Sequence, residues 1–181
     1  MLDFEGLPPL VDVTDLSTPS GDVEQADLDA VCNDIRYACG WHIAPVVADY
    51  EMVINAEGGT ILTVPSLKMA EPSSVLDANG GEITGWSWSS NGILETHCWP
   101  SGLRSVTVIA DSGFEKCPPA LIAVIDDILA DRAGVKSAEY SQISLDGASL
   151  TRENAYGSGP RGAQRDLMST YGHILGRFAI R

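Results

Sequence analysis

Leu28-Asp29-Ala30-Val31-Cys32-Asn33-Asp34-Ile35-Arg36-Tyr37-Ala38-Cys39-Gly40 runs directly into Trp41-His42-Ile43-Ala44-Pro45, and the change of character at residue 40 decides the fold. Before it, Leu28, Val31, Cys32, Ile35 and Cys39 fall at i, i+3, i+4, i+7 and i+11. That stripe of 3.6-residue period predicts an amphipathic helix with one buried face. Asp22 and Gln25 have the spacing of a capping box, and Glu24 and Asp27 lie near the positive end of the helix dipole. Gly40 suits the left-handed position just past a helix, and Pro45 discourages a return to α geometry.

Downstream the periodicity drops to two. Strands are predicted over 46–54, 60–64, 75–77, 83–89, 93–96 and 103–110, separated by Gly58-Gly59, Asn79-Gly80-Gly81, Asn91-Gly92 and Ser101-Gly102. Those turns supply the positive φ that tight hairpins need, so a small antiparallel sheet or barrel is expected. Trp86 and Trp88 lie two apart on one strand, with Trp99 on a later segment, a pattern of cross-strand packing. About 75 residues separate the first helix from a second that opens at Pro118-Pro119. Leu121, Val124, Ile125, Ile128 and Leu129 give this second helix its stripe, and Arg132 with Gly134 marks its expected end. Ala120, Ile122 and Ala123 widen the apolar face, so Leu121, Ile122 and Ile125 are candidates for packing against a neighbouring subunit as well as for an ordinary core.

The expected fold is thus α+β: a small helical core from 22–40 and 118–136, an inserted antiparallel β domain over 41–117, and a flexible C-terminal tail. Residues 1–21, with Pro8, Pro9 and Pro19, read as an extended arm ordered by contact. Residues 137–181 read as an irregular arm, with a turn or hairpin around Asp146-Gly147, and then a tail beyond Gly157-Ser158-Gly159-Pro160. In the tail Leu167, Tyr171, Ile174, Leu175 and Phe178 keep helical spacing, while Gly172 and Gly176 each cost a helix roughly 1 kcal/mol. A marginal helix that orders on a partner is expected.

At 181 residues and 44% apolar content the chain can close one sizeable core, or one core with a satellite. Neither a signal-like N-terminus nor a run of roughly 18 apolar residues is present, so a soluble, unanchored protein is expected. Net charge is −14, unevenly placed. Residues 1–151 carry 6 basic and 23 acidic side chains, and residues 152–181 carry 5 and 2. An acidic body repels nucleic acid, and a basic tail suits an acidic partner. Cys32 and Cys39 lie seven apart on one helix, about 10 Å along its axis, too far to bond. Cys98 and Cys117 could meet in space, yet nothing in the sequence demands it, and a reducing compartment is expected.

Catalytic and cofactor signals are weak. Gly157, Gly159 and Gly162 spell G-x-G-x-x-G without the buried strand before it or the acid about 20 residues after it. His42, His97 and His173 are scattered, so no metal is expected. Asp126, Asp127 and Asp131, which with Glu115 would serve a hydrolase of dispersed acids, read as a solvated helix face. No cofactor and no enzymatic activity are expected.

The helix ending in Cys39-Gly40-Trp41-His42-Ile43, the insert with Ile61-Leu62-Thr63-Val64-Pro65, and Val106-Thr107-Val108 leading through Gly113-Phe114 and Pro118 into helix two carry a resemblance. Their order resembles the head-to-tail adaptor (connector) proteins of long-tailed phages, particularly actinobacterial ones. The resemblance implies a non-enzymatic virion protein at the head-tail interface, assembled in the host cytoplasm. It implies a ring of copies, in that family a dodecamer, between portal protein and a stopper or tail-terminator protein, with DNA passing through unread and no membrane involved. It also implies that the C-terminal segment docks on the portal, by position Tyr171, Ile174, Leu175, Arg177, Phe178 and Arg181. The alternative is a β-domain binding module that recognises a host or virion surface through Trp86, Trp88 and Trp99.

Overall fold

Helix α1 spans Gln25–Cys39, and its predicted stripe is its buried face: Leu28, Val31, Cys32, Ile35 and Cys39 are all enclosed. The computed structural model describes residue 4 and residues 6–17, 23–139 and 160–180. Asp22 lies outside them. The Gln25 side chain donates to Asp29 Oδ1 at 2.9 Å. The Glu24 carbonyl accepts the first helical bonds, from the N–H groups of Asp27 and Leu28. Gly40 takes φ +81° and ends the helix as expected.

The fold is mixed α+β, and the chain divides into two compact units: Pro9–Cys39 with Pro118–Ala179, and Met1–Pro8 with Gly40–Cys117 and Ile180–Arg181. The first is helical. Helix α2 spans Pro119–Glu139, helix α3 spans Pro160–Leu175, and each of the three helices packs against the other two. Pro119 opens α2 where its missing N–H costs nothing, and the Pro118 carbonyl accepts from the N–H groups of Leu121 and Ile122. The expected stop at Gly134 is corrected: α2 continues through it to Glu139. A glycine alone costs about 1 kcal/mol, and Val135-Lys136-Ser137-Ala138 supplies no helix breaker after it. Arg132 of α2 reaches Asp34 of α1 at 3.4 Å.

The arm is likewise not merely extended. Leu10 and Val11 are buried, Val13–Asp15 forms a single 3₁₀ turn, and the Leu10 N–H donates to Cys32 Sγ at 3.4 Å. Residues 140–159, including the expected turn around Asp146-Gly147, lie outside the described residues.

The β unit holds six strands: β1 Val47–Glu57, β2 Ile61–Thr63, β3 Ser74–Asp77, β4 Ser87–Ser89, β5 Ile93–Glu95 and β6 Ser101–Ser112. They form two three-stranded antiparallel sheets, in the orders β1-β6-β3 and β2-β5-β4, and not one sheet or a closed barrel. Alternation explains the shared core. Met52, Val75, Val106 and Val108 from the first sheet, Leu62 and Leu94 from the second, and Trp99 point into one apolar cluster. Two bulges interrupt the long β1–β6 ribbon. One holds Asp49 at φ +48°, its N–H bound to Asp111 Oδ1 at 2.9 Å; the other holds Arg104 at φ +52°.

Candidate functional site

The residues assigned to the tail are mostly inside the protein. Leu167 and Leu175 are buried and Tyr171 is 8% exposed; the Tyr171 hydroxyl donates to Asp127 Oδ2 at 2.5 Å, and Cys39 Sγ donates to the Leu175 carbonyl at 3.8 Å. The marginal-helix expectation is therefore corrected: α3 forms through Gly172 because its stripe is covered by α1 and α2, and that burial outweighs the glycine cost. Of the docking residues, Arg177 is exposed and Ile174 and Phe178 are half-buried, whereas Tyr171 and Leu175 are committed to the chain's own helices. Arg181 lies outside the described residues. Ile180 lies near the start of the β unit, its Cβ 3.9 Å from where a Cβ on Gly40 would sit.

Leu121 and Ile125, assigned to subunit packing, are each 0% exposed, while Ile122 is half-buried. The chain itself covers the first two, because they share the stripe that meets the neighbouring helices. Only Ile122 keeps area for another copy.

The tryptophans do not make a platform. Trp99 is 2% exposed in the β core with Nε1–H donating to the Thr60 carbonyl at 3.0 Å. Trp86 precedes β4, packs on the same core and donates to the Ile83 carbonyl at 2.9 Å; Trp88 is 37% exposed. Two acids of α2 make bonds within the helical unit, since Asp126 Oδ2 accepts from the Ser17 N–H at 3.1 Å and Asp127 holds Tyr171, while Asp131 is exposed. Of the glycine motif, Gly162 lies in α3, and Gly157 and Gly159 lie outside the described residues. Among the described residues no group of three His, Cys, Asp or Glu side chains could hold a metal. Among the same residues no helix is long and apolar enough to cross a membrane. All four cysteines are free thiols, with Cys98 exposed and the others buried.

A polar and aromatic cluster escaped the sequence reading. His42 is buried; its Nε2–H donates to the Ser112 carbonyl at 2.7 Å, and its ring lies 4.7 Å from that of Tyr50 and 5.7 Å, edge-on, from that of Trp41. An acceptor-only carbonyl fixes that tautomer. Ser66 Oγ and Ser112 Oγ meet at 2.7 Å, and Ser66 Oγ donates to the Lys68 carbonyl at 2.9 Å. Gly113 closes the arrangement at φ +117°: a Cβ there would sit 2.7 Å from both His42 Nε2 and the Pro45 carbonyl oxygen. Histidine and serine bond here through the backbone carbonyl, not hydroxyl to imidazole, so the cluster positions structure.

Over this cluster lies an open groove of about 710 Å³. Val46, Met69, Ala70 and Phe114 give it an apolar lining, and Lys68, Asp111, Glu115 and Lys116 rim it with both signs of charge. Three separate segments converge to build it, which is why no local motif announces it. No protein-family model matches the chain, and no curated protein matches it at a significant level.

Proposed function

We propose that this chain is a structural subunit of a phage head-to-tail adaptor ring, seated between the portal and the next neck or tail component, with the genome passing through. The observation that carries the reading is the order of the chain. A helical core begun by α1 is interrupted by an entire β unit and resumed by α2, the order that the resemblance implies. The charge distribution fits a conduit, because an acidic body lets a polyanion slide without adhering. Of the residues that the resemblance assigns to the portal, this reading retains Ile174, Arg177 and Phe178, which keep exposed or half-exposed surface.

The test is to mix the protein with purified portal and image the complex. A ring of copies on the portal is the expected result, and Arg177→Glu combined with Phe178→Ala should abolish it while leaving the unfolding transition cooperative. A wild-type chain that neither binds portal nor assembles overturns the reading.

A further inference from the structure

Two asparagine-glycine steps occur in the sequence, Asn79-Gly80 and Asn91-Gly92, and both stand in turns of the β unit. Such a step carries its own reactive pair. The glycine nitrogen can reach the asparagine Cγ and close a five-membered ring, and no Cβ on the glycine hinders the approach. Asparagine is accordingly among the heat-labile residues. With the same chemistry at both steps, the fold decides which one reacts.

The attacking amides are held alike: the Gly80 N–H donates to the Asp77 carbonyl at 3.0 Å and the Gly92 N–H to the Ser89 carbonyl at 3.1 Å. Their surroundings differ. Gly80 is exposed, and a Cβ built on it meets nothing within 4 Å. Gly92 is buried, with the backbone carbonyls of Ser66 and Val64 against the place its Cβ would take.

Ring closure requires the peptide plane between asparagine and glycine to turn until the nitrogen faces Cγ. At Asn79 the bonds that resist this lie inside the turn. Asp77 Oδ1 accepts from the N–H groups of Asn79 and Gly81, each at 2.8 Å, and the Gly81 carbonyl accepts from the Asp77 N–H at 2.8 Å. At Asn91 they run to a remote segment, on both sides of the reacting residue. The Gly92 carbonyl accepts from the Val64 N–H at 2.7 Å, and the Ser90 carbonyl accepts from the Met69 N–H at 2.9 Å. Water and base must also reach an amide nitrogen in a buried residue there. Reaction at Asn91 thus waits on local opening of the sheet, and reaction at Asn79 only on the movement of one exposed turn.

We infer that Asn79 is a site of spontaneous covalent modification, converted to aspartate and isoaspartate in the folded protein, and that the fold protects Asn91. Base removes the Gly80 amide proton, the nitrogen bonds to Asn79 Cγ, and the Cγ–Nδ2 bond breaks. Nδ2 takes up a proton and leaves as ammonia. Water then opens the cyclic imide. Opening at Cγ restores the normal backbone with an aspartate side chain, and opening at the main-chain carbonyl carbon routes the chain through Cγ as isoaspartate. Either product adds a carboxylate between Asp77 and Glu82, and isoaspartate lengthens the turn by a methylene. That turn closes the hairpin in which the Ile83 N–H donates to the Val75 carbonyl at 2.8 Å, so the modification acts on the β3 edge of the first sheet.

The test uses the full chain, kept folded in mildly alkaline buffer and sampled over time. Cleavage after Glu71, Glu82 and Glu95 puts the two asparagines in separate peptides, and mass spectrometry reads the conversion of amide to acid in each. Asn79 should convert at least about tenfold faster than Asn91 in the folded chain. In concentrated guanidinium the two rates should converge. Hydroxylamine, which cleaves the imide, should cut the folded chain between residues 79 and 80 and the unfolded chain at both steps. Comparable rates at the two steps in the folded chain, or an Asn79 that converts only after unfolding, overturn the inference. A rate ratio that persists in guanidinium overturns it as well, because local sequence and not the fold would then set the difference.

Discussion

Tyr171 and Asp127 are joined by a hydrogen bond of 2.5 Å that ties the C-terminal helix to α2. The ring of Tyr171 is buried and Asp127 is exposed, so the bond has an apolar body on one side and water on the other. Tyr171→Phe should cost about 0.5–1.5 kcal/mol, the worth of one such bond. Tyr171→Ala should cost about 3–5 kcal/mol, because it also opens a cavity between helices. Urea unfolding followed by circular dichroism measures both. If Phe and Ala cost the same, the ring is not packed as described.

Removal of residues 161–181 follows from the same packing. Leu167, Tyr171 and Leu175 cover parts of α1 and α2, and deletion bares those faces. The truncated chain should unfold at lower urea, bind the dye ANS and aggregate on concentration. A truncated protein as stable as the full chain would show that α3 contributes nothing to the helical unit.

The burial of the thiols sets their chemistry. Burial pushes the Cys39 thiol up to about 12 and also raises Cys32, where bonds from the Leu10 backbone and the nearby Arg36 charge only partly oppose it. The thiolate is the nucleophile, so buried, raised thiols are inert. At pH 8 one thiol per chain, Cys98, should react rapidly with Ellman's reagent, and four should react in concentrated guanidinium. Cys98→Ser should remove the fast phase entirely.

How much of this was legible in the sequence depended on the range of the contacts. The stripe of α1 and the six strands were readable because each is a local pattern of side chains at period 3.6 or 2. The partition into two sheets was not, since β6 pairs with β1 and β3 across long sequence separations that no turn signal specifies. Gly134 and Gly172 misled for one reason: propensity is a weak term, and context or tertiary burial overrode it. The His42–Ser112 contact and the groove join segments some 70 residues apart, and nothing in either segment alone marks its partner.

Asp34 carries a pH signature. Burial raises its carboxyl above the ordinary value, and the Arg132 charge and hydrogen bond oppose but do not cancel that shift. The folded state therefore holds the proton more tightly than the unfolded chain does. The stability this group contributes is fully present below the unfolded pKa and is lost as pH rises through the folded one. Asp34→Asn retains an acceptor for Arg132 and removes the titration, so its stability relative to wild type should rise with pH across the carboxylate range and then level off. Urea midpoints taken in steps across that range give the test, and a parallel offset at every pH would exclude a role for Asp34 ionisation.

Two glycines with the same backbone angle separate strain from space. Gly80 and Gly92 both take φ +81°, so alanine at either is strained by about 1–2 kcal/mol. At Gly80 an added Cβ meets nothing within 4 Å, and that strain is the whole effect. At Gly92 the Cβ would sit 2.2 Å from the Ser66 carbonyl oxygen and 2.8 Å from that of Val64, both backbone atoms. The surroundings cannot yield easily, because the Val64 N–H donates to the Gly92 carbonyl at 2.7 Å and Ser66 lies in the buried serine pair. Gly92→Ala should therefore cost about 3 kcal/mol or more, against about 1–2 for Gly80→Ala, and should loosen the pairing of β2 with β5. Amide hydrogen exchange at Leu62 and Leu94 reads that pairing directly. Equal destabilisation by the two substitutions would mean that conformational strain alone, and not the close approach of Ser66, fixes glycine at position 92.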